Sequence, residues 1–89
     1  MISARIDDRP ALAPLYRLQF ETAQNAWVLL YPEGMVKLNA TAAEILRRCD
    51  GSLSVHELVE GLERDYAPAQ LRGDVCHFLG DAYGRGWII

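Results

Sequence analysis

The stretch from Trp27 to Asn39 constrains the fold more than any other part of the chain. Trp27 to Tyr31 is unbroken apolar, Pro32-Glu33-Gly34 interrupts it and Met35 to Leu38 resumes it, a pattern of two strands joined by a tight turn. The second strand, Trp27 to Tyr31, is apolar on both faces and so belongs between two neighbours. The third, Met35 to Leu38, sets Val36 and Leu38 against Met35 and Lys37 and belongs at an edge. The first strand lies upstream. Tyr16, Leu18 and Phe20 alternate with Arg17, Gln19 and Glu21, as in a strand with one dry face, and Thr22 to Ala26 turns it back into a hairpin.

After the sheet the apolar period changes from two to near 3.6. Thr41 and Glu44 have capping-box spacing, with Asn39 as a competing cap, and a first helix runs to about Cys49. Ile45, Leu46 and Cys49 point inward, Arg47 and Arg48 outward, and Asp50-Gly51 ends the helix. Ser54 and Glu57 repeat the box. Val55, Leu58, Val59, Leu62 and Tyr66 then continue at helical spacing through Gly61, which costs about 1 kcal/mol relative to alanine and is expected to mark a close helix contact. A third helix, roughly Ala69 to Tyr83, carries Leu71, Val75, Phe78, Leu79 and Ala82 along one stripe. Gly84-Arg85-Gly86 breaks it, and Trp87-Ile88-Ile89 should dock on the core.

The expected fold is α+β and winged-helix-like, a three-stranded antiparallel sheet followed by a three-helix bundle. Residues 15–89 form the domain, and residues 1–14, with Asp7, Asp8, Pro10 and Pro14, form an extended arm that packs on the sheet or hangs free. The outer face of the second strand is expected to be covered by this arm or by another chain.

Composition narrows the function. With 89 residues, 51% of them hydrophobic, the chain suits one packed domain that can hardly spare core for a deep catalytic cavity. Its net charge of -3 disfavours nucleic acid, whose phosphates call for a concentrated basic face. The helices flanking Gly51-Ser52-Leu53 do have helix-turn-helix spacing, which keeps a winged-helix DNA-binding regulator as the alternative. The candidate reading helix, however, offers only Arg72 and Arg85 against Asp74 and Asp81. No apolar run approaches the roughly 20 residues that cross a bilayer, and Met1 to Arg9 lacks the apolar middle of a signal peptide, so no membrane association and a cytoplasmic location are expected. Cys49 and Cys76 fit reduced thiols there.

Chemistry is sparse. Cys49, His56, Cys76 and His77 lack metal-ligand spacing. Cys76 and His77, as nucleophile and base, would face about 100 degrees apart on a helix with no third orienting group. The charges on the second helix, Glu57, Glu60, Glu63, Arg64 and Asp65, read as a solvated face. No cofactor is implied, and the chain does not read as an enzyme.

The run Leu29-Leu30-Tyr31-Pro32-Glu33-Gly34-Met35-Val36-Lys37-Leu38-Asn39, with Thr41-Ala42, Glu44-Ile45-Leu46, Cys49-Asp50-Gly51, Asp74-Val75, Phe78-Leu79 and Gly86-Trp87-Ile88, closely resembles the PqqD family of pyrroloquinoline quinone (PQQ) biosynthesis. The likeness extends from about Arg9 to the C-terminus. It implies a non-catalytic peptide chaperone that binds the precursor peptide PqqA and presents it to the radical S-adenosylmethionine enzyme PqqE. It also implies kinship with the recognition elements of other ribosomally made, modified peptides, in which the leader lies as an extra strand against strand three and beside helix three.

An edge strand offers unpaired backbone groups that a disordered peptide can complete while alternate side chains enter an apolar groove. Here the ladder would be Met35, Val36, Lys37, Leu38 and Asn39, and the other wall Val75, Cys76, Leu79 and Tyr83. Val75 and Leu79 read equally well as core. A homodimer, with strands exchanged at Pro32-Glu33-Gly34, stays open.

Overall fold

A computed structural model describes residues 5–89. The first four residues of the expected arm lie outside them. Strands β1 (Arg17–Glu21), β2 (Ala26–Tyr31) and β3 (Gly34–Lys37) are followed by helices α1 (Ala40–Leu46), α2 (Val55–Asp65) and α3 (Arg72–Gly84). The sheet is antiparallel in the order β1-β2-β3, with Leu18 opposite Leu29 and Leu29 opposite Val36. The doubly apolar strand is therefore central. Leu29 and Leu38 join one core with Ile45, Leu46, Leu58, Val59, Val75 and Leu79, and Leu18, Trp27 and Val36 pack against it. On the same face Tyr16 stacks on Tyr31, Phe20 meets Trp27 edge-on, and the Arg47 guanidinium lies 5.2 Å from the Trp27 ring centroid.

The helix ends correct several sequence expectations. Asn39, not Thr41, caps α1: its side chain accepts the Ala42 N–H at 2.8 Å, because β3 ends at Lys37 and only Leu38 and Asn39 precede the helix. Glu44 consequently does not reach back to a cap. Its carboxylate accepts from Arg47 and Arg48, each at 2.8 Å, and Arg48 continues to Asp65 at 2.9 Å, tying α1 to α2. The bond from Arg48, foremost among the causes, holds the Glu44 carboxyl below the usual carboxylate range. We expect Asn39→Ala to cost about 1 kcal/mol in urea unfolding and Thr41→Ala only a few tenths. Equal losses would return the cap to Thr41.

The first helix stops at Leu46 rather than Cys49, since the Arg48 and Cys49 amides bond three residues back, to Ile45 and Leu46. The Ser54–Glu57 box forms as expected. Gly61 marks no close helix contact: an added Cβ would meet only the flexible end of Arg64, at 3.7 Å. Tyr66 is the exposed C-cap of α2 rather than a core residue. The third helix starts at Arg72, after a turn in which Ala69 bonds to the Tyr66 carbonyl and the Leu71 N–H is held by Glu63 at 2.8 Å.

Residues 5–13 neither lie on the sheet nor hang free. The Asp8 carbonyl accepts from Val55 (2.8 Å), the Pro10 carbonyl from Gly51 (3.0 Å), and Leu12 donates to Cys49 (3.2 Å). On the other side Ala11 and Ile89 exchange both backbone bonds and Ala13 donates to Trp87 (2.8 Å). This segment is thus held between the α1–α2 connection and the C-terminus, where Gly51 supplies the φ of 84° that the turn requires. On the outer face of the sheet Val28 is 1% exposed, Leu30 is half-buried and Met35 is 46% exposed.

Candidate functional site

The direction of the backbone groups in β3 decides what its edge offers. The Leu38 N–H donates to the Trp27 carbonyl at 2.9 Å. Backbone groups in an antiparallel strand alternate between its two sides, so Trp27, Leu29 and Tyr31 face β3 and pair with Leu38, Val36 and Gly34. The N–H and C=O groups of Met35 and Lys37 point away from the sheet. Among the described residues no backbone group pairs with them.

The expected five-residue ladder is thereby narrowed. Val36 and Leu38 direct their amides to β2, and the Leu38 side chain is buried in the core. Asn39 serves α1, through its side chain and through a carbonyl that accepts from Ala43 at 3.0 Å. Met35 and Lys37 supply the open edge.

On the third helix the alternative left open for Val75 and Leu79 falls to the core. Val75 and Leu79 are buried in the core and present no surface to a groove. Cys76 and Tyr83 are half-buried and share a flank with Arg72, whose guanidinium lies 3.0 Å from His56 Nδ1 in the first turn of α2. The Tyr83 hydroxyl is pushed up by burial first, then by Asp8 and Cys49 nearby. That flank therefore faces α2 and the N-terminal segment.

The opposite flank carries Leu71 and Phe78, seven residues and two turns apart and both half-buried. Leu71 lines a cavity of about 240 Å³ with Ala40, Thr41, Glu44 and Tyr66, at the place where β3 runs into α1. The sequence reading missed this pocket. The spacing places Leu71 inside the third helix, whereas it is the N-cap residue ahead of α3.

The two cysteines differ sharply. Cys49 is buried, its thiol donates to the Ile45 carbonyl at 3.3 Å, and burial together with Asp50 pushes its pKa up to about 12. Because the thiolate is the nucleophile, iodoacetamide at pH 8 should modify half-buried Cys76 well before Cys49, as peptide mass mapping would show. Simultaneous modification would mean that the α1 end opens readily. Among the described residues no group of three or more His, Cys, Asp or Glu could hold a metal ion, and no helix is long and apolar enough to cross a membrane.

With this geometry in hand, four similarities bear on the chain. It is 45% identical over 87 residues to the PqqA binding protein of Methylococcus capsulatus, covering 98% of this chain and 94% of that protein. It is 44% identical over 89 residues to the PqqA binding protein of Azotobacter vinelandii, covering 99% and 97%. The solution NMR structure of the PqqD truncation of Methylobacterium extorquens PqqCD, described as a functional and stand-alone recognition element for ribosomally synthesized and post-translationally modified peptides, superposes with a TM-score of 0.80. Identity there is 25%, over 97% of this chain and 94% of that one. The family model for coenzyme PQQ synthesis protein D matches residues 26–88, from the start of β2 to the buried Ile88, and the chain therefore belongs to the PqqD family.

Proposed function

We propose that this protein binds the precursor peptide PqqA as an added strand on β3 and presents it to the radical S-adenosylmethionine enzyme PqqE, acting in the cytoplasm and performing no chemistry itself. The observation that carries this reading is the pair of outward-facing, unpaired residues Met35 and Lys37 on an edge strand. The similarity to proteins named for binding PqqA supplies the identity of the peptide. A strand laid along Met35–Lys37 and continued past Asn39 reaches the cavity lined by Ala40, Thr41, Glu44, Tyr66 and Leu71. One aliphatic or aromatic side chain of the peptide would anchor there, contributing about 1.5–3 kcal/mol. Several backbone hydrogen bonds at about 0.5–1.5 kcal/mol each add to this, and ordering the peptide removes a few kcal/mol. The balance is at most about 7 kcal/mol, which corresponds to a complex of roughly ten micromolar or weaker, weak enough for cargo to be passed on.

Calorimetric titration with PqqA tests the binding, and the rate of PqqE-catalysed crosslinking with and without this chain tests the presentation. Binding at roughly ten micromolar or weaker and a crosslinking rate that depends on the chain are expected. A chain that ignores PqqA yet binds PqqE would instead be a stabilising subunit of the enzyme.

A further inference from the structure

Lys37 is the one lysine among the nine Lys and Arg residues of the chain, and it stands on the open edge of the sheet. Its neighbour Val36 packs against the core, so the exposed Lys37 side chain lies on the outer face, away from the helices. Its surroundings on β2 and β3 there are apolar. Val28 lies directly opposite, Met35 and Leu30 form the next pair along, and beyond Val28 the first strand contributes the neutral Gln19. Val28 is 1% exposed, and the stems of Gln19 and Lys37 are the side chains that the register places on either side of it. The ammonium is left without a carboxylate. Among the described residues Lys37 joins none of the ion pairs.

We propose that Lys37 is a specificity-determining residue, which selects among extended peptides one that carries a carboxylate at the outer-facing position opposite it. This rests on the strand-addition reading above and adds the chemistry of the segment that is chosen. The Lys37 N–H and C=O point away from the sheet, so in an antiparallel complex the residue opposite forms a hydrogen-bonded pair with it, the Cα atoms about 5.5 Å apart. Both side chains then share the outer face. A glutamate or aspartate there meets the ammonium directly, and opposite charges set across neighbouring strands stabilise their pairing. Two positions along, the residue opposite Met35 falls beside the exposed Met35 and the half-buried Leu30, a surface that favours an apolar side chain. The residue between them turns to the helix side, next to Val36. The preferred segment thus carries one acidic and one apolar residue, two positions apart on the same face. A lysine on an edge strand ordinarily deters unwanted strands. Here the same charge both deters and admits, because a basic strand is repelled and an apolar one desolvates the ammonium, whereas an acidic one neutralises it. The backbone of Met35 and Lys37 can hold any strand, and the ammonium makes the choice.

Carbodiimide coupling of the full chain with PqqA tests this, because Lys37 carries the only side-chain amine. The reagent activates a peptide carboxyl, the Lys37 amine attacks it, and an amide bond forms as the reagent leaves as its urea. Mass mapping should place that bond between Lys37 and a single Asp or Glu of PqqA. Calorimetric titration then measures the pair. Lys37→Gln keeps the backbone amide and should weaken PqqA binding about twofold to fivefold, and Lys37→Glu about tenfold. Replacing the coupled PqqA carboxylate by lysine should restore binding to Lys37→Glu and weaken binding to the parent. High salt should shrink the difference between the parent and Lys37→Gln. Amide exchange at Met35 and Lys37 separates this proposal from the reading beneath it. Protection of both amides by PqqA, with the parent, Lys37→Gln and Lys37→Glu binding alike or with no single carboxylate coupled, would mean that the strand adds but the ammonium does not select it. Absence of that protection would overturn strand addition and the proposal together.

Discussion

Lys37→Pro should weaken PqqA binding roughly tenfold to a hundredfold and leave the free domain folded. The Lys37 amide points away from β2, so proline removes a donor that the fold does not use. In the complex the peptide carbonyl opposite it would lose its partner, at about 1–3 kcal/mol. Val36→Pro should act differently. Its amide faces Leu29 in the β2 ladder, and its loss would disrupt the sheet itself. Tryptophan fluorescence and amide spectra of the free variants separate the two outcomes. If Lys37→Pro binds PqqA as the parent does, the peptide does not add to this edge.

Leu79→Ala should lower the free energy of unfolding by about 2–5 kcal/mol, the usual cost of emptying a fully packed leucine site. Leu79 is 0% exposed and shares its core with Leu29, Leu46, Leu58 and Val75. For a domain whose whole stability is about 5–15 kcal/mol, such a loss brings the chain near unfolding at ordinary temperature. Urea titration measures it. An unchanged midpoint accompanied by weak PqqA binding would place Leu79 in the groove after all.

The sequence exposed the order and type of the elements because each has a strong apolar period: two in Tyr16–Phe20, and near 3.6 in Val55–Leu62. What it left unresolved turns on single residues. Reading Pro32-Glu33-Gly34 as a three-residue interruption left open which strand-three amides face the partner. The structure pairs Gly34 with Tyr31 across a two-residue loop, and that pairing turns Met35 and Lys37 outward and Val36 and Leu38 inward. Hydrophobic alternation reports side-chain faces and is silent about this choice.

The third helix poses a similar ambiguity. Apolar residues flank its buried stripe on both sides, Cys76 and Tyr83 on one and Leu71 and Phe78 on the other, so periodicity cannot say which flank meets α2. The contact of Arg72 with His56, long-range in the chain, settles the rotation. Asn39 and Thr41 were both competent caps, and the choice follows from where β3 ends. The cavity could not be read at all, since Ala40, Glu44, Tyr66 and Leu71 come together only through the packing of α1 against the α2–α3 connection.

Hydrogen exchange at the Met35 and Lys37 amides, followed with and without saturating PqqA, tests the central claim most directly. Both amides should exchange quickly in the free protein and slow by tenfold or more in the complex, while Val36 and Leu38 stay protected throughout. Saturation with PqqA that leaves Met35 and Lys37 exchanging at their free rates would contradict strand addition at this edge.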